Sequence, residues 1–166
     1  MSPNRTHRHP AFSYTGIQEY FLTICTHGRQ RAFADQTFAL DAIHQLFRSA
    51  ATLHFEIIAY CLMPDHVHIL IRAVRDDANM KSFVQSWNTT TGFRWRRTHE
   101  GPLWQTGYYD HVLRAEETHL AVARYVLMNP VRAGLAASPE EYPLCGSGIY
   151  TVTLILEAAE DWKPSW

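Results

Sequence analysis

Two histidines separated by one residue are the first feature of this sequence that could perform chemistry. His66 and His68 stand in a run of mainly apolar and β-branched residues, His66 to Arg72, which predicts a strand. Side chains alternate along a strand, so the two imidazoles share one face while Val67 points into the core. A pair of imidazoles on one face can supply half of a metal site. Two surface histidines on a half-exposed strand would give the same pattern.

A tyrosine and an asparagine four residues apart form the second candidate pair. Tyr125 and Asn129 lie in a predicted helix from Glu116 to Asn129, where positions i and i+4 share a face. Pro130 is expected to end this helix, and the free carbonyls at a helix end favour a nearby cation. The same spacing is also typical of a packing tyrosine followed by a helix terminator, so the spacing alone leaves both interpretations open.

Two aromatic and basic segments could contact nucleic acid. Trp104-Gln105 and Tyr108 to His111 mix aromatic and polar side chains, a combination suited to stacking on bases. The cluster Arg94 to Arg97 could follow a phosphate backbone. The edge of an ordinary core and a solvated helix end would give the same patterns, so these segments only support a nucleic-acid function.

The composition indicates one globular domain. The chain has 166 residues, 46 % of them hydrophobic, and no apolar run approaches the ~18 residues that a membrane span needs. Residues 1–10 are polar and do not resemble a signal peptide. Three cysteines without C-x-x-C spacing argue against a disulfide framework and for a reducing compartment, so we expect a cytoplasmic protein without membrane partners.

The net charge of −1 conceals an uneven distribution. Residues 1–139 carry 14 of the 15 Lys and Arg but only 11 of the 16 Asp and Glu, a surplus of three positive charges. The last 27 residues have a surplus of four negative charges, which defines an acidic C-terminal tail. Overall neutrality therefore does not exclude a DNA substrate.

The order of predicted elements indicates how these side chains are positioned. The pattern is β-α-β-β-α-(β)-α, with segments Glu19 to Thr26, Asp35 to Leu53, Phe55 to Leu62, His66 to Arg72, Asn79 to Thr90, Leu103 to Leu113 and a helix from Glu116. This order predicts an α+β fold of the ferredoxin-like, split β-α-β type, with helices packed on one side of a small antiparallel sheet. We expect a single domain over residues 1–166, with its core at about 19–148.

Three blocks of residues follow one another in a specific order: Tyr60 to His68 (YCLMPDHVH), then Trp104-Gln105 with Tyr109 to Val112, and then Arg124 to Leu135 (RYVLMNPVRAGL). They resemble the blocks of the REP-associated tyrosine transposases, which belong to the HUH-type single-tyrosine transposases. Tyr142-Pro143 with the following Gly146-Ser147 form a fourth block. One H-x-H motif is a weak signal, but several blocks in matching order are a specific one.

The resemblance implies a metal-dependent nuclease and strand transferase that acts on single-stranded DNA, often at the foot of a hairpin. It assigns His66 and His68 as metal ligands, Asn129 as a third ligand, and Tyr125 as the nucleophile that forms a 5′-phosphotyrosine. The implied cofactor is Mg²⁺ or Mn²⁺, although two imidazoles and an amide oxygen would by ligand softness suit Zn²⁺ or Mn²⁺ better than Mg²⁺. We favour Mg²⁺ or Mn²⁺ because so few ligands leave positions open for phosphate and water.

The predicted DNA contacts and the alternatives complete the set of hypotheses. The candidate DNA-binding residues are Arg94, Arg96, Arg97, Trp104, Gln105, Tyr109, His111 and Arg132. The matches favour a monomeric branch of the family over a dimeric one. A non-catalytic nucleic-acid-binding module on the same fold, and a phosphodiesterase that uses activated water, are the alternative functions.

Overall fold

The computed structural model describes residues 12–158 and 163–164, which fold into a five-stranded sheet flanked by helices. The strands are β1 (Glu19–Cys25), β2 (Phe55–Met63), β3 (His66–Ala73), β4 (Tyr109–Val112) and β5 (Cys145–Gly146). The helices are α1 (Gln36–Leu53), α2 (Met80–Trp95), α3 (His119–Leu127), α4 (Asn129–Arg132) and α5 (Val152–Ala158). Of the acidic tail, Glu160 and Asp161 lie outside the described residues.

The sheet is antiparallel throughout, in the order β4-β1-β3-β2-β5. Strand β3 lies between β1 and β2, which run parallel to each other and are joined by α1. This is the split β-α-β arrangement, and the predicted α+β fold is confirmed. Met63 pairs with His66 across the β2–β3 hairpin, so Pro64 and Asp65 form a tight turn directly before the first histidine.

Side-chain caps fix where three of the helices begin. Asp35 accepts a hydrogen bond from Phe38 N at the start of α1, as the sequence predicts. Asn79 caps α2, and Thr118 caps α3 by accepting from Ala121 N. Such caps satisfy amide donors that the first turn of a helix leaves without partners. Helix α3 therefore begins at His119, three residues later than the predicted start at Glu116.

Helices cover both faces of the sheet, so the prediction that they cover one side is wrong. Helices α1 and α2 pack on one face, where Leu46 and Trp87 belong to the same apolar cluster as Ile69 of β3. Helices α3 and α5 cover the other face, where Val126 and Ile155 belong to a second apolar cluster. The physical reason is that β1, β2 and β3 are apolar on both faces, and a buried strand needs a covering layer on each.

The packed elements continue beyond the predicted core boundary at residue 148. Helix α5 lies beyond it, and Ile155 of α5 is fully buried in the second apolar cluster. The helical backbone also continues past Pro130, because Met128 keeps helical angles (φ −78°, ψ −4°) and Arg132 N donates to Met128 O at 3.0 Å. None of the described helices has the length and apolar character required to span a membrane.

Candidate active site

The two histidines of β3 lie on the sheet face that α3 covers. In the antiparallel register His66 is opposite Cys25 of β1, and His68 is opposite Thr23. Val67, between them, is fully buried against the α1–α2 layer. The shared face predicted for the two imidazoles is therefore confirmed, and His68 is the more enclosed of the two, with 8 % of its surface exposed.

The Nε2 atoms of the two imidazoles face each other at 3.2 Å. The ring planes are nearly perpendicular, with centroids 4.8 Å apart. Two imidazole nitrogens that bind one ion at about 2.0–2.2 Å lie about 3.0–3.4 Å apart. The pair is therefore already at the separation that a shared metal ion requires, and the side chains present fit such an ion.

The other nitrogen of each ring is held by a polar partner. His66 Nδ1 lies 2.7 Å from Asp65 Oδ1, and His68 Nδ1 lies 2.9 Å from Thr23 Oγ1. Arg29 in turn donates from Nε to Asp65 Oδ2 at 2.8 Å. Such partners of the remote nitrogen orient a metal-binding imidazole and leave Nε2 to bind the ion.

The electrostatics of the site keep both imidazoles neutral. Burial lowers the pKa of His68 to about 3, helped by repulsion from His66 whenever that ring is protonated and from the charges of Arg132 and Arg29. Burial also lowers the pKa of His66, against the opposing effect of Asp65. For Asp65, burial raises the pKa, but the hydrogen bond from His66 and the charge of Arg29 outweigh it and hold the pKa below its usual value. Neutral imidazole is the form that binds metal ions.

Tyr125 of α3 lies over the histidine face of the sheet. Its ring centroid is 6.3 Å from that of His68 and 6.0 Å from that of Phe21. Phe21 also stacks on His68, with centroids 5.6 Å apart and planes 14° apart. Phe21 therefore forms a common apolar support under His68 and Tyr125.

Arg132 is exposed, and its side chain lies against Tyr125. Its guanidinium carbon is 4.2 Å from the centroid of the Tyr125 ring, and its Nη2 donates to Tyr125 O at 2.7 Å. This places a positive charge beside the tyrosine and ties α4 to the end of α3. DNA contact by Arg132 stays a prediction.

Asn129 lies one turn after Tyr125, and its amide group is anchored on the helix. Nδ2 donates to Tyr125 O and Val126 O, both at 3.1 Å, which leaves Oδ1 as the atom that could serve as a ligand. No third His, Cys, Asp or Glu joins the histidine pair as a metal-binding cluster within residues 12–158 and 163–164. A third protein ligand there would have to be of another type, which is compatible with the predicted role of Asn129.

Two of the predicted DNA contacts have structural partners on the opposite face of the sheet. Trp104 packs against Phe33 and Trp87, and its indole donates to Thr91 Oγ1 at 2.9 Å. Arg94 donates to both carboxylate oxygens of Asp41 on α1, at 3.0 and 3.1 Å. The structure does not bring either side chain to the histidine pair.

The remaining predicted contacts are distributed around the site. Gln105 N donates to Cys25 O, which places Gln105 beside the β1 residue opposite His66. Tyr109 is opposite Thr23, and His111 is opposite Phe21, on the same sheet face as the histidines. His111 is paired with Glu117 at 2.7 Å. Arg96 and Arg97, by contrast, are exposed at the end of α2.

Sequence reasoning missed four residues that shape the site. They are Phe21, Thr23, Arg29 and Asp65. Thr23 and Phe21 are brought to the site by the β1–β3 register, which the sequence does not specify. Asp65 could have been found from its position directly before His66 in a tight turn, where a carboxylate reaches the neighbouring side chain.

This arrangement of a histidine pair on a central strand and a tyrosine on the covering helix defines a class of protein. Residues 17–129 match the model of the family described as "Transposase IS200 like". The chain therefore belongs to this family of transposases, and with it to the DNA-processing enzymes.

Individual relatives agree with this assignment. A Haemophilus influenzae protein assigned as a REP-associated tyrosine transposase is 23 % identical over 136 residues, which cover 75 % of this chain and 76 % of the relative. The structure of a REP-associated tyrosine transposase bound to a REP hairpin superimposes with a TM-score of 0.68 at 19 % identity, covering 87 % of this chain and 82 % of that one. A Deinococcus radiodurans protein assigned as a transposase gives a TM-score of 0.50 at 22 % identity, covering 81 % and 92 %. The resemblance inferred from the motifs is confirmed.

Proposed function

We propose that this transposase is a metal-dependent, single-strand DNA nuclease and strand transferase that uses Tyr125 as its nucleophile. One observation carries the proposal: two neutral imidazoles present Nε2 atoms 3.2 Å apart, directly beside the ring of a tyrosine on the covering helix. Two metal-binding side chains next to a hydroxyl nucleophile form an arrangement suited to metal-assisted phosphoryl transfer.

His66 and His68 would hold a divalent ion, Mg²⁺ or Mn²⁺, with Asn129 Oδ1 as the third protein ligand. When bound, the ion supplies polarisation of a phosphate oxygen and stabilisation of the charge that develops on the leaving 3′ oxygen. Asp65 and Thr23 hold the outer ring nitrogens, so the two rings are already oriented for a shared ion.

The chemical step is transfer of a phosphoryl group from a 3′ oxygen to a tyrosine. The Tyr125 oxygen forms a bond to phosphorus while the bond from phosphorus to the 3′ oxygen breaks; the phenol gives up its proton to water, and the leaving 3′ oxygen takes up a proton from water. The products are a 5′-phosphotyrosine and a free 3′-OH. Since the number of phosphoester bonds is unchanged, a second 3′-OH can reverse the step and join strands without ATP.

The proposed substrate is single-stranded DNA that carries a hairpin. Support comes from the structural neighbour, which is bound to a REP hairpin, and from the positive surplus of residues 1–139. Exposed Arg96 and Arg97, with Gln105, Tyr109 and His111 near the site, are the proposed contacts. We further propose that the protein acts as a monomer in the cytoplasm.

A single gel experiment tests the function. Wild-type protein is incubated with a hairpin-bearing DNA strand, labelled on the 3′ side of the hairpin, and Mn²⁺, and covalent adducts are separated under denaturing conditions. We expect strand cleavage and a labelled protein–DNA adduct, both lost in Tyr125→Phe, with DNA affinity within about twofold of wild type. Tyr150→Phe is the matched control and should retain both cleavage and adduct, because Tyr150 packs against the same apolar cluster as Tyr125 and has no proposed role in DNA binding or catalysis.

The other outcomes identify the competing functions. An adduct that persists in Tyr125→Phe would assign the nucleophile elsewhere, with Tyr108 and Tyr109 as the next residues to test. Cleavage without any adduct would indicate a phosphodiesterase that uses activated water. DNA binding with neither cleavage nor adduct would indicate a non-catalytic binding module.

A further inference from the structure

We propose that Asp65 is a positioning residue that fixes His66 in the tautomer with its proton on Nδ1, and that Arg29 holds Asp65 in place. This inference rests on the proposed function, in which His66 is a metal ligand. Asp65 and Arg29 thereby gain a role, although neither belongs to the H-x-H motif or to the pair of Tyr125 and Asn129.

The hydrogen bond between Asp65 and His66 determines where the imidazole proton lies. Asp65 Oδ1 is 2.7 Å from His66 Nδ1, and an ionised carboxylate accepts hydrogen bonds but cannot donate one. Nδ1 must therefore carry the proton, and Nε2 presents its lone pair. That lone pair is directed at the space beside His68 Nε2, 3.2 Å away, which is the proposed ion position.

His68 is held differently, and the contrast makes the role of Asp65 specific. Its Nδ1 lies 2.9 Å from the hydroxyl of Thr23, which can donate or accept. Without an ion, the two Nε2 atoms form a hydrogen bond in which His68 Nε2 is the donor and the lone pair of His66 Nε2 is the acceptor. Nδ1 of His68 then has no proton and accepts from the Thr23 hydroxyl. When His68 acts as a ligand, its proton moves to Nδ1 and the Thr23 hydroxyl turns to accept it. Of the two proposed ligands, His66 is therefore the one whose tautomer is fixed by a carboxylate.

Arg29 restrains Asp65 from the other side. Its Nε donates to Asp65 Oδ2 at 2.8 Å, and its Nη1 donates to Cys25 Sγ at 3.0 Å, so the guanidinium spans the turn and β1. Arg29 has a left-handed backbone with φ +56°, which is unusual for a residue other than glycine. The chain accepts this conformation at the position where the side chain reaches Asp65.

The backbone of the turn is fixed independently of these side chains. The amide of Thr26 donates to Asp65 O at 3.0 Å. Phe33 N donates to Pro64 O at 3.0 Å. Removing the Asp65 carboxylate therefore leaves the turn in place, so that its effect on His66 can be measured in a folded protein.

Two measurements test the inference. Nitrogen-15 NMR of the imidazoles, without metal, reports the tautomer of each histidine, and calorimetric titration with Mn²⁺ alone reports metal affinity. We expect wild-type His66 to show the Nδ1–H tautomer, and Asp65→Ala to show the Nε2–H tautomer or a mixture. We also expect a 10- to 100-fold loss of Mn²⁺ affinity in Asp65→Ala, the usual effect of removing such a partner. Asp65→Asn keeps one acceptor oxygen for the two donors His66 Nδ1 and Arg29 Nε, so it should restore both only in part, and Arg29→Ala should have a smaller effect than Asp65→Ala.

The controls separate this inference from the proposed function. Asp77→Ala is matched, because Asp77 is an exposed carboxylate that also pairs with an arginine, Arg75 at 2.9 Å, and it should bind Mn²⁺ as wild type does. His66→Ala should lose Mn²⁺ binding. If His66→Ala loses it while Asp65→Ala binds within about twofold of wild type, or if His66 keeps its Nδ1–H tautomer in Asp65→Ala, the inference alone is overturned. If His66→Ala binds Mn²⁺ as wild type does, the metal site itself is wrong, and the inference is overturned with it.

Discussion

The guanidinium of Arg132 lies over the ring of Tyr125, with its central carbon 4.2 Å from the ring centroid. The same side chain donates to the Tyr125 carbonyl at 2.7 Å, so it holds both the backbone and the ring of the proposed nucleophile. The two residues are seven positions apart, and the continuation of helical backbone through Met128 brings them together. Arg132 can therefore orient Tyr125 through direct contact.

Replacing Arg132 should slow adduct formation more than it weakens DNA binding. Arg132→Ala loses the contact with the Tyr125 ring, and such contacts contribute about 0.5–2 kcal/mol. If the transition state loses this stabilisation, the single-turnover rate at saturating DNA falls about 2- to 30-fold. Arg132→Lys should retain part of the rate because the charge remains.

Arg48→Ala is the control for this measurement, since Arg48 is exposed on α1 on the opposite layer. Its rate should equal that of wild type. An Arg132→Ala protein with an unchanged rate at saturating DNA, but weaker DNA affinity, would show that Arg132 serves as a DNA contact instead.

Mn²⁺ should stabilise the protein against heat only when both histidines are present. An ion that binds the native state alone adds about 2.7 kcal/mol at 100 times its Kd. For a chain of this size each kcal/mol raises Tm by about 2–4 °C, so we expect a rise of about 5–10 °C. EDTA should remove this rise and abolish cleavage, and His66→Ala and His68→Ala should show neither the rise nor cleavage.

His44→Ala provides the comparison, because His44 is an exposed histidine on α1. It should keep the full Mn²⁺-dependent rise in Tm. Full cleavage by the wild type in EDTA would contradict a metal-dependent mechanism.

The sequence could predict the parts of the site that depend on local periodicity. Alternation along β3 puts His66 and His68 on one face, and helical spacing relates Tyr125 to Asn129. The partners that hold these groups come from other strands. Thr23 reaches His68 through the β1–β3 register, and such a pairing over 45 residues depends on the whole sheet rather than on any local pattern.

Charge and aromatic patterns in the sequence were poorer guides to the site, because residues distant in the chain pair with some of these side chains. Arg94 belongs to a basic cluster in the sequence, but Asp41 on α1 accepts its hydrogen bonds. Trp104 belongs to a motif block, but its ring packs against Phe33 and Trp87. Strand β5 was missed because two residues give no detectable alternation.

Trp104→Phe should lower stability and leave DNA affinity unchanged. The substitution removes the indole donor to Thr91 and part of a ring in contact with Trp87, which should cost about 1–3 kcal/mol of unfolding free energy in urea. Stacking on bases would instead be worth about 1–3 kcal/mol of DNA binding. DNA affinity measured where the variant is fully folded distinguishes the two roles.

Phe93→Ala is the reference for this pair of measurements. Phe93 is 68 % exposed, so its removal should change the unfolding free energy by no more than about 0.5 kcal/mol. Weaker DNA binding by folded Trp104→Phe, without loss of stability, would support the base-stacking prediction instead.

Gly148 joins the chain after β5 to the edge of β2, and Gly148→Ala should destabilise the fold. Gly148 N donates to Ile57 O at 2.9 Å, where the β2–β3 pairing is irregular. A Cβ at Gly148 would lie 3.0 Å from Ile57 O and 2.8 Å from a ring carbon of Phe47. Since a backbone carbonyl cannot move without disturbing the sheet, we expect a loss of about 1–3 kcal/mol in urea unfolding.

Gly146→Ala is the matched comparison, two residues earlier in the chain. There the three atoms nearest to the added Cβ all belong to the Tyr60 side chain, the closest being its hydroxyl oxygen at 2.9 Å, and a side chain can move aside. Its loss of unfolding free energy should therefore be smaller than that of Gly148→Ala. Equal stability of Gly148→Ala and wild type would show that the segment after β5 does not pack against β2 as described, and the reverse order of the two variants would place the tighter contact at Tyr60.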